Sequence, residues 1–261
     1  MSALVRWARR LGAAALLSLA AAPAMASCND LPNWQQLKTA LQGSVGPGLN
    51  GGFDLPMWAT LVDRDGFVCA VAFSGSDRGA QWPGSRIISA QKANTANAFS
   101  LDGFAISTAN LYTAVQPGGS LFGLQESNVV NPATAYAGGP ADSAKYGQVE
   151  DPMVGGKIGG VNVFGGGLAL YKGGRVVGGL GVSGDSSCAD HNVAWRVRVA
   201  LNLFDPAKAG PSPNGDDGIV YDILARGNKD PASRSGWGHP TCGGTEPAIA
   251  VAIGAGFSPR K

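Results

Sequence analysis

The chain has 261 residues, with 20 Lys and Arg against 18 Asp and Glu for a formal charge of +2, and its 40 glycines far exceed ordinary usage. That near-balance, with no basic stripe interleaved with aromatic residues, argues against a nucleic-acid partner. No stretch after residue 26 is apolar enough to span a bilayer. The four cysteines form no C-x-x-C pair, which argues against a zinc ribbon or a thioredoxin-type centre.

Arg6, Arg9 and Arg10 precede an apolar run from Leu11 to Ala22, and Ala24-Met25-Ala26 is a small-x-small site. This order is that of a secretory signal peptide, and the run is well short of the roughly 20 residues a membrane helix needs. Cleavage after Ala26 is expected, giving a secreted or periplasmic protein that starts at Ser27. Cys28 leaves lipidation as an alternative, for which Met25 is a poor match. Loss of the three arginines leaves 17 basic against 18 acidic residues.

Asp30 as N-cap and Pro32 in the first turn start a helix with Trp34, Leu37 and Leu41 on one face. Met57 to Val62 and Phe67 to Phe73 read as two strands joined by the turn Asp63-Arg64-Asp65-Gly66. A helix is expected from about Arg86 to Phe99, and a short one from Ser107 to about Val115. Residues 116–160, rich in Gly, Pro, Ala and Asn, have no steady period and read as a long insertion with short pieces of structure. Such segments are usually functional or make contacts. Gly167 to Tyr171 and Arg175 to Val182 form a second hairpin around Lys172-Gly173-Gly174. Val193 to Phe204 fits both a helix face and a strand alternation, which periodicity does not separate. Beyond Asp205 the chain is Pro/Gly-rich. Hairpins covered by helices make an α+β sandwich.

Gly179-Leu180-Gly181-Val182-Ser183-Gly184 matches the dinucleotide pattern G-x-G-x-x-G, with Asp205 at a suitable distance. The segment before it pairs in a hairpin rather than opening parallel units, and with 40 glycines the pattern arises by chance. Ser183 and Ser186 invite a hydrolase reading, but Asp185 stands where a nucleophile elbow needs its second glycine. Ser186 or Asp185 reads better as a helix cap. The two histidines, His191 and His239, each lie close in sequence to a cysteine. Histidine is a common transition-metal and haem ligand. Met57 and Met153 are weaker axial candidates, and the absence of C-x-x-C-H excludes covalent c-type haem.

Three segments together resemble the GlcG/HbpS family of haem-binding proteins. They are Trp58 to Gly66 with its following strand, Ser89-Ala90-Gln91-Lys92-Ala93-Asn94-Thr95-Ala96, and Gly165 to Tyr171 followed by Arg175 to Gly184 and Asp190. The resemblance covers roughly Leu31 to Phe204. Leu168-Ala169 departs from it where the family has proline, as does His191 where it has an acidic residue. It implies a profilin-like three-layer sandwich, a five-stranded antiparallel sheet with helices on both faces, and a helix over Ser187 to Phe204. The organisation expected is a haem-binding domain over 27–204, carrying the 116–160 insertion, and a C-terminal extension over 205–261 packed on it.

The resemblance further implies non-covalent haem or a related tetrapyrrole, a homo-oligomer and, in one exported branch, a membrane sensor kinase as partner. Haem or iron handling, or oxidative-stress sensing, is the expected role. The alternatives are a haem-degrading or peroxidase-like enzyme, in which the iron does the chemistry, and a cofactor-free oligomeric interaction module. Four cysteines in an exported chain read as two disulfides. Of three possible pairings the expected one is Cys28–Cys69, tying the first helix to the hairpin, with Cys188–Cys242, pinning the tail to the last helix. His191 is then the expected iron ligand with His239 brought beside it, on a surface lined by glycine backbone, Trp195 and Trp237. Arg196 or Arg198 would pair with the propionates. The competing view leaves both histidines as exposed loop residues and gives haem another ligand.

Overall fold

The structure is a computed structural model that describes residues 27–205, 209–226 and 229–259. The expected signal peptide lies outside the described residues. In chain order the elements are α1 (Trp34–Ser44), β1 (Trp58–Asp63), β2 (Val68–Phe73), α2 (Ser85–Phe99), the short α3 (Leu124–Ser127) and α4 (Pro132–Ala135), β3 (Gly167–Lys172), β4 (Arg175–Ser183), α5 (Ser187–Ala200), β5 (Ile219–Val220), β6 (Ile223–Arg226), β7 (Lys229–Ser233), α6 (Glu246–Ala252) and β8 (Gly256–Phe257). Among the described residues no helix is long and apolar enough to cross a membrane.

The main sheet is antiparallel throughout, in the order β2-β1-β4-β3. Its strands are buried on both faces because helices cover both. Ala59 and Leu61 of β1 join Leu168, Leu180 and Val182 in a core closed by Leu37 and Leu41 of α1 and Val193 and Val197 of α5. Alternation along β1 sends Trp58 and Val62 to the opposite face, against Ala90 and Ala93 of α2. Thr60 on that face shares a 2.7 Å hydrogen bond with Ser89 of α2.

Local chemistry sets the element ends. Asn33, rather than Asp30, caps α1: its side chain accepts from Gln36 N at 3.0 Å and Gln36 returns the bond at 2.9 Å. Asp30 instead accepts from Ser27 N and closes a turn of 3-10 helix over Cys28–Asp30. In the first hairpin Asp63 Oδ1 accepts from Asp65 N and Phe67 N, both at 3.0 Å. In the second, Gly173 and Gly174 take φ of 58° and 80°, which a two-residue turn of this type requires. Ser186 caps α5 by accepting from Ala189 N.

The main sheet has four strands, which corrects the expected five. Both outer edges are met by other backbone. Ser107 and Asn110 form a capping box that winds Thr108–Leu111 into 3-10 helix, and a second such turn follows at Thr113–Val115; these replace the expected short α-helix. Asn110 then donates to Gly218 O of the tail at 3.0 Å. Beside β3, Gly167 N donates to Thr108 Oγ1 and Tyr171 N to Leu203 O. At the β2 edge, Val68 exchanges backbone hydrogen bonds with Gly155 and Gly156 of the insertion. Val68 on one edge and Gly167 and Tyr171 on the other thus find partners without a fifth ladder.

The glycines of β4 explain how close α2 lies. A Cβ at Gly179 would collide with Ala93 O, and one at Gly181 with Ser89 O. The G-x-G-x-x-G match therefore serves helix–sheet packing. All four cysteines are paired, Cys28 with Cys69 and Cys188 with Cys242. The described part of the tail pairs β5 with β8 in parallel and lays α6 against α5.

Candidate functional site

Lys92 and Asp190, both from the segments that carry the resemblance, meet across the end of β4. Lys92 Nζ lies 2.7 Å from Asp190 Oδ2 and donates to Val182 O at 3.2 Å. Asp190 Oδ1 accepts from Asp185 N at 3.0 Å. Both side chains are buried, and burial pushes the Asp190 carboxyl up to about 6 against the pull of Lys92. This ion pair ties α2 to the start of α5, a positioning role.

The structure brings the two histidines to either side of Gly165, but in the interior rather than on a surface. His191 is fully buried, with Nε2 at 3.2 Å from Ala255 O and Nδ1 without a partner. His239 is equally enclosed: Nδ1 lies 2.7 Å from Pro240 O, and Nε2 accepts from Gly165 N at 3.3 Å. Burial pushes His191 down to about 3 and His239 down to about 4, so both are neutral at pH 7. A Cβ at Gly165 would lie 3.1 Å from that of His191 and collide with Ser187 O, so no porphyrin-sized space separates the pair.

The other expected site residues are also committed within the fold. Arg198 is buried and bonds both Asp217 oxygens, at 2.6 and 2.8 Å. Its guanidinium stacks 4.5 Å from the Trp195 ring centroid. Trp195 is itself buried against Phe204. Arg196 donates to Asn50 Oδ1 at 3.1 Å and to Leu49 O at 3.2 Å. Haem does not fit at the histidines, and Arg198 is not available to a propionate in this arrangement. Met57 and Met153 are both core residues.

Among the described residues, a groove and a cleft have the size for a large ligand. A groove of about 820 Å³ between α1 and α5 is lined by Gln36, Thr39, Trp195, Arg196, Val199 and Leu201 among others. Its lining contains no His, Cys, Met or Tyr to meet a metal. The second is a cleft of about 510 Å³ between β1, the start of α2 and residues 135–146 of the insertion. Its apolar wall includes Trp58, Ile87 and Ala135, and its polar groups are Arg78, Gln81, Arg86, Tyr136, Ser143 and Tyr146.

Asp151, buried, lies behind this cleft and fixes its Arg86 wall. It accepts from Arg86 Nε at 2.9 Å, ion-pairs with Arg86 Nη2, and accepts from Gly147 N and Met153 N. Arg86 so fixed lies 4.1 Å from the Tyr146 ring centroid, and Arg78 lies 5.3 Å from the same ring. Arg78 has no carboxylate partner among the described residues. Trp58 Nε1 and Gln81 Oε1, on lining residues, are buried without hydrogen-bond partners. An apolar slot with one uncommitted guanidinium and two phenols suits a flat conjugated acid. Sequence reading missed these residues; the available signal was only that a 45-residue irregular stretch over 116–160 is too long to be a bare connection. The one three-residue cluster of ligand type among the described residues, Cys28, Asp63 and Cys69, is spent on a disulfide.

An antiparallel sheet between helical layers, with a cleft at the start of the long helix that crosses it, defines a small α+β domain. The chain belongs to the HbpS-like family: the family model, described as haem degrading protein HbpS-like, matches residues 53–197. Among solved structures it is similar to a PduOC–haem complex, at 25% identity over 65% of this chain and 92% of that one, TM-score 0.43. It is also similar to Klebsiella pneumoniae ORFY, at 23% identity over 66% and 88%, TM-score 0.43. A double mutant of Streptomyces reticuli HbpS matches at 17% identity over 77% and 99%, TM-score 0.41. No curated protein matches the chain.

Proposed function

We propose that this protein binds haem non-covalently in the cleft between the start of α2 and residues 135–146. The observation that carries the reading is the family match, which spans every residue lining that cleft. Arg78 would pair with a propionate, the apolar wall would shield the macrocycle, and bound haem would supply iron redox chemistry. With all four cysteines in disulfides, no thiol is left for covalent attachment. The test is titration of the purified protein with haem, read by the Soret band. Saturable one-to-one binding is expected, weakened about tenfold by Arg78→Gln, which removes one charge-assisted contact. Wild-type protein that leaves the free-haem spectrum unchanged sinks the proposal.

Turnover of the bound haem is a second reading, favoured by the family description. Reductant with oxygen, or peroxide, should then bleach the Soret band and release iron. Export belongs to the same proposal, since two disulfides suit an oxidising compartment. Mass spectrometry of the exported protein should show Ser27 at the N-terminus; an intact Met1 or a lipidated Cys28 counts against it. A homo-oligomer and a role in haem or iron handling go with this reading, and light scattering measures the former.

A further inference from the structure

The haem reading does not say which atom of this chain meets the iron. We infer that the phenolic oxygen of Tyr146 is the axial ligand, an inference that rests on haem binding in the cleft. The usual ligand types are spent elsewhere: both histidines and both Met57 and Met153 are buried, and all cysteines are in disulfides. Among the residues lining the cleft, the groups with ligand chemistry toward ferric iron are the phenols of Tyr136 and Tyr146.

Tyr146 is the one held in place. Its ring lies under the guanidinium of Arg86, which Asp151 fixes, and beside that of Arg78. Its hydroxyl makes no hydrogen bond among the described residues. That hydroxyl lies 3.2 Å from where a Cβ on Gly138 would be, so glycine backbone borders the oxygen. Gly138 has φ of 89°, a conformation that keeps other residues out. A ring already fixed adds little ordering cost on binding. Tyr136, by contrast, is 69% exposed, and its ring has no aromatic or cation contact among the described residues.

Haem and metal-free protoporphyrin IX are titrated into the wild-type protein and the variants Tyr146→Phe, Tyr136→Phe and Tyr146→His. Phenylalanine keeps the ring between the arginines and removes only the oxygen. The wild-type haem complex should show a phenolate-to-iron charge-transfer band, confirmed by resonance Raman. Tyr146→Phe should lose that band and bind haem at least about tenfold more weakly, the floor set by loss of even an outer partner of a metal. Its affinity for the metal-free porphyrin should not change. Tyr136→Phe should match wild type, and Tyr146→His should recover haem affinity with an imidazole-type spectrum. Retention of band and affinity in Tyr146→Phe overturns the assignment. Equal loss of both porphyrins does so too, because it makes Tyr146 a wall and not a ligand. Wild-type protein that binds neither porphyrin refutes the haem reading as well.

Discussion

Enclosure of His191 and His239 should make the fold acid-sensitive in a way that two exposed histidines would not. Both are held neutral, at about 3 and about 4 in the fold against 6.5 in the unfolded chain. A depressed value means that the stability they contribute is present above pH 6.5 and is lost as pH falls towards 4. At pH 5 the unfolded chain protonates both while the fold keeps both neutral, which is worth about 2 kcal/mol per histidine. Asp190 acts in the opposite direction. Its carboxyl is raised from 3.8 to about 6, so its contribution is present below 3.8 and lost as pH rises through 6. Between pH 7 and 5 it returns about 1 kcal/mol. The wild-type protein should therefore lose about 3 kcal/mol over that interval. His191→Gln keeps a donor near Nε2 for Ala255 O, and His239→Asn keeps one near Nδ1 for Pro240 O. The double variant, less stable at pH 7, should gain about 1 kcal/mol on acidification, from Asp190. Urea unfolding followed by tryptophan fluorescence at both pH values measures this. Equal pH dependence in wild type and double variant would falsify the buried placement and return the histidines to solvent.

Lys92→Met leaves Asp190 buried without its cation and should cost about 3–5 kcal/mol, while Lys92→Met with Asp190→Leu should recover most of it, by thermal melts. Gly181→Ala pushes a methyl into the α2 backbone at Ser89 and should cost about 1–3 kcal/mol or prevent folding, whereas Gly43→Ala, which meets nothing, should be close to neutral in the same melts. Reduction with dithiothreitol should lower the unfolding midpoint in urea. The two bonds close separations of 41 and 54 residues, each worth about 4 kcal/mol in the chain-entropy view. An unchanged midpoint after complete reduction would count against both bonds.

Much of the sheet was legible because its signals are local. Asp63 and Gly66 make the first turn with their own atoms, and Gly173-Gly174 supplies the φ values of the second. The ambiguous run after Ser187 needed the family resemblance, since its alternation suits strand and helix alike. The fifth strand was never read from the residues, whose two hairpins give the four strands observed; it came from the resemblance, and beside β3 the chain instead forms a 3-10 turn whose Asn110 reaches Gly218, 108 residues away. The burial of the histidines was hidden for a different reason. Their closeness to Cys188 and Cys242 can be read from the chain, but the backbone that encloses His191 comes from Ala255. The cleft was invisible because Trp58, Arg78, Arg86, Asp151 and Tyr146 share no period and no motif. The buried carboxylate of Asp151 holds Arg86 and Gly147, and Arg86 in turn lies over Tyr146.

The bare backbone of β4 bears on how the cleft can move. With no side chains at Gly179 and Gly181 to act as a compliant layer, α2 rests directly on the strand. Any tilt of the helix would drive its carbonyls into the sheet. Arg86 and Ile87 therefore belong to a fixed jaw. The opposite side is a different kind of wall, built of the single turn of helix over Pro132–Ala135, the glycines at 138 and 139 and a 3-10 segment over Pro140–Lys145. Widening of the cleft to admit a flat molecule would come from residues 135–143 of that side, since Arg86 holds the Tyr146 ring to the fixed jaw. Asp151 ties the two sides where they meet, its carboxylate accepting from Arg86 on one and from Gly147, next to Tyr146, on the other.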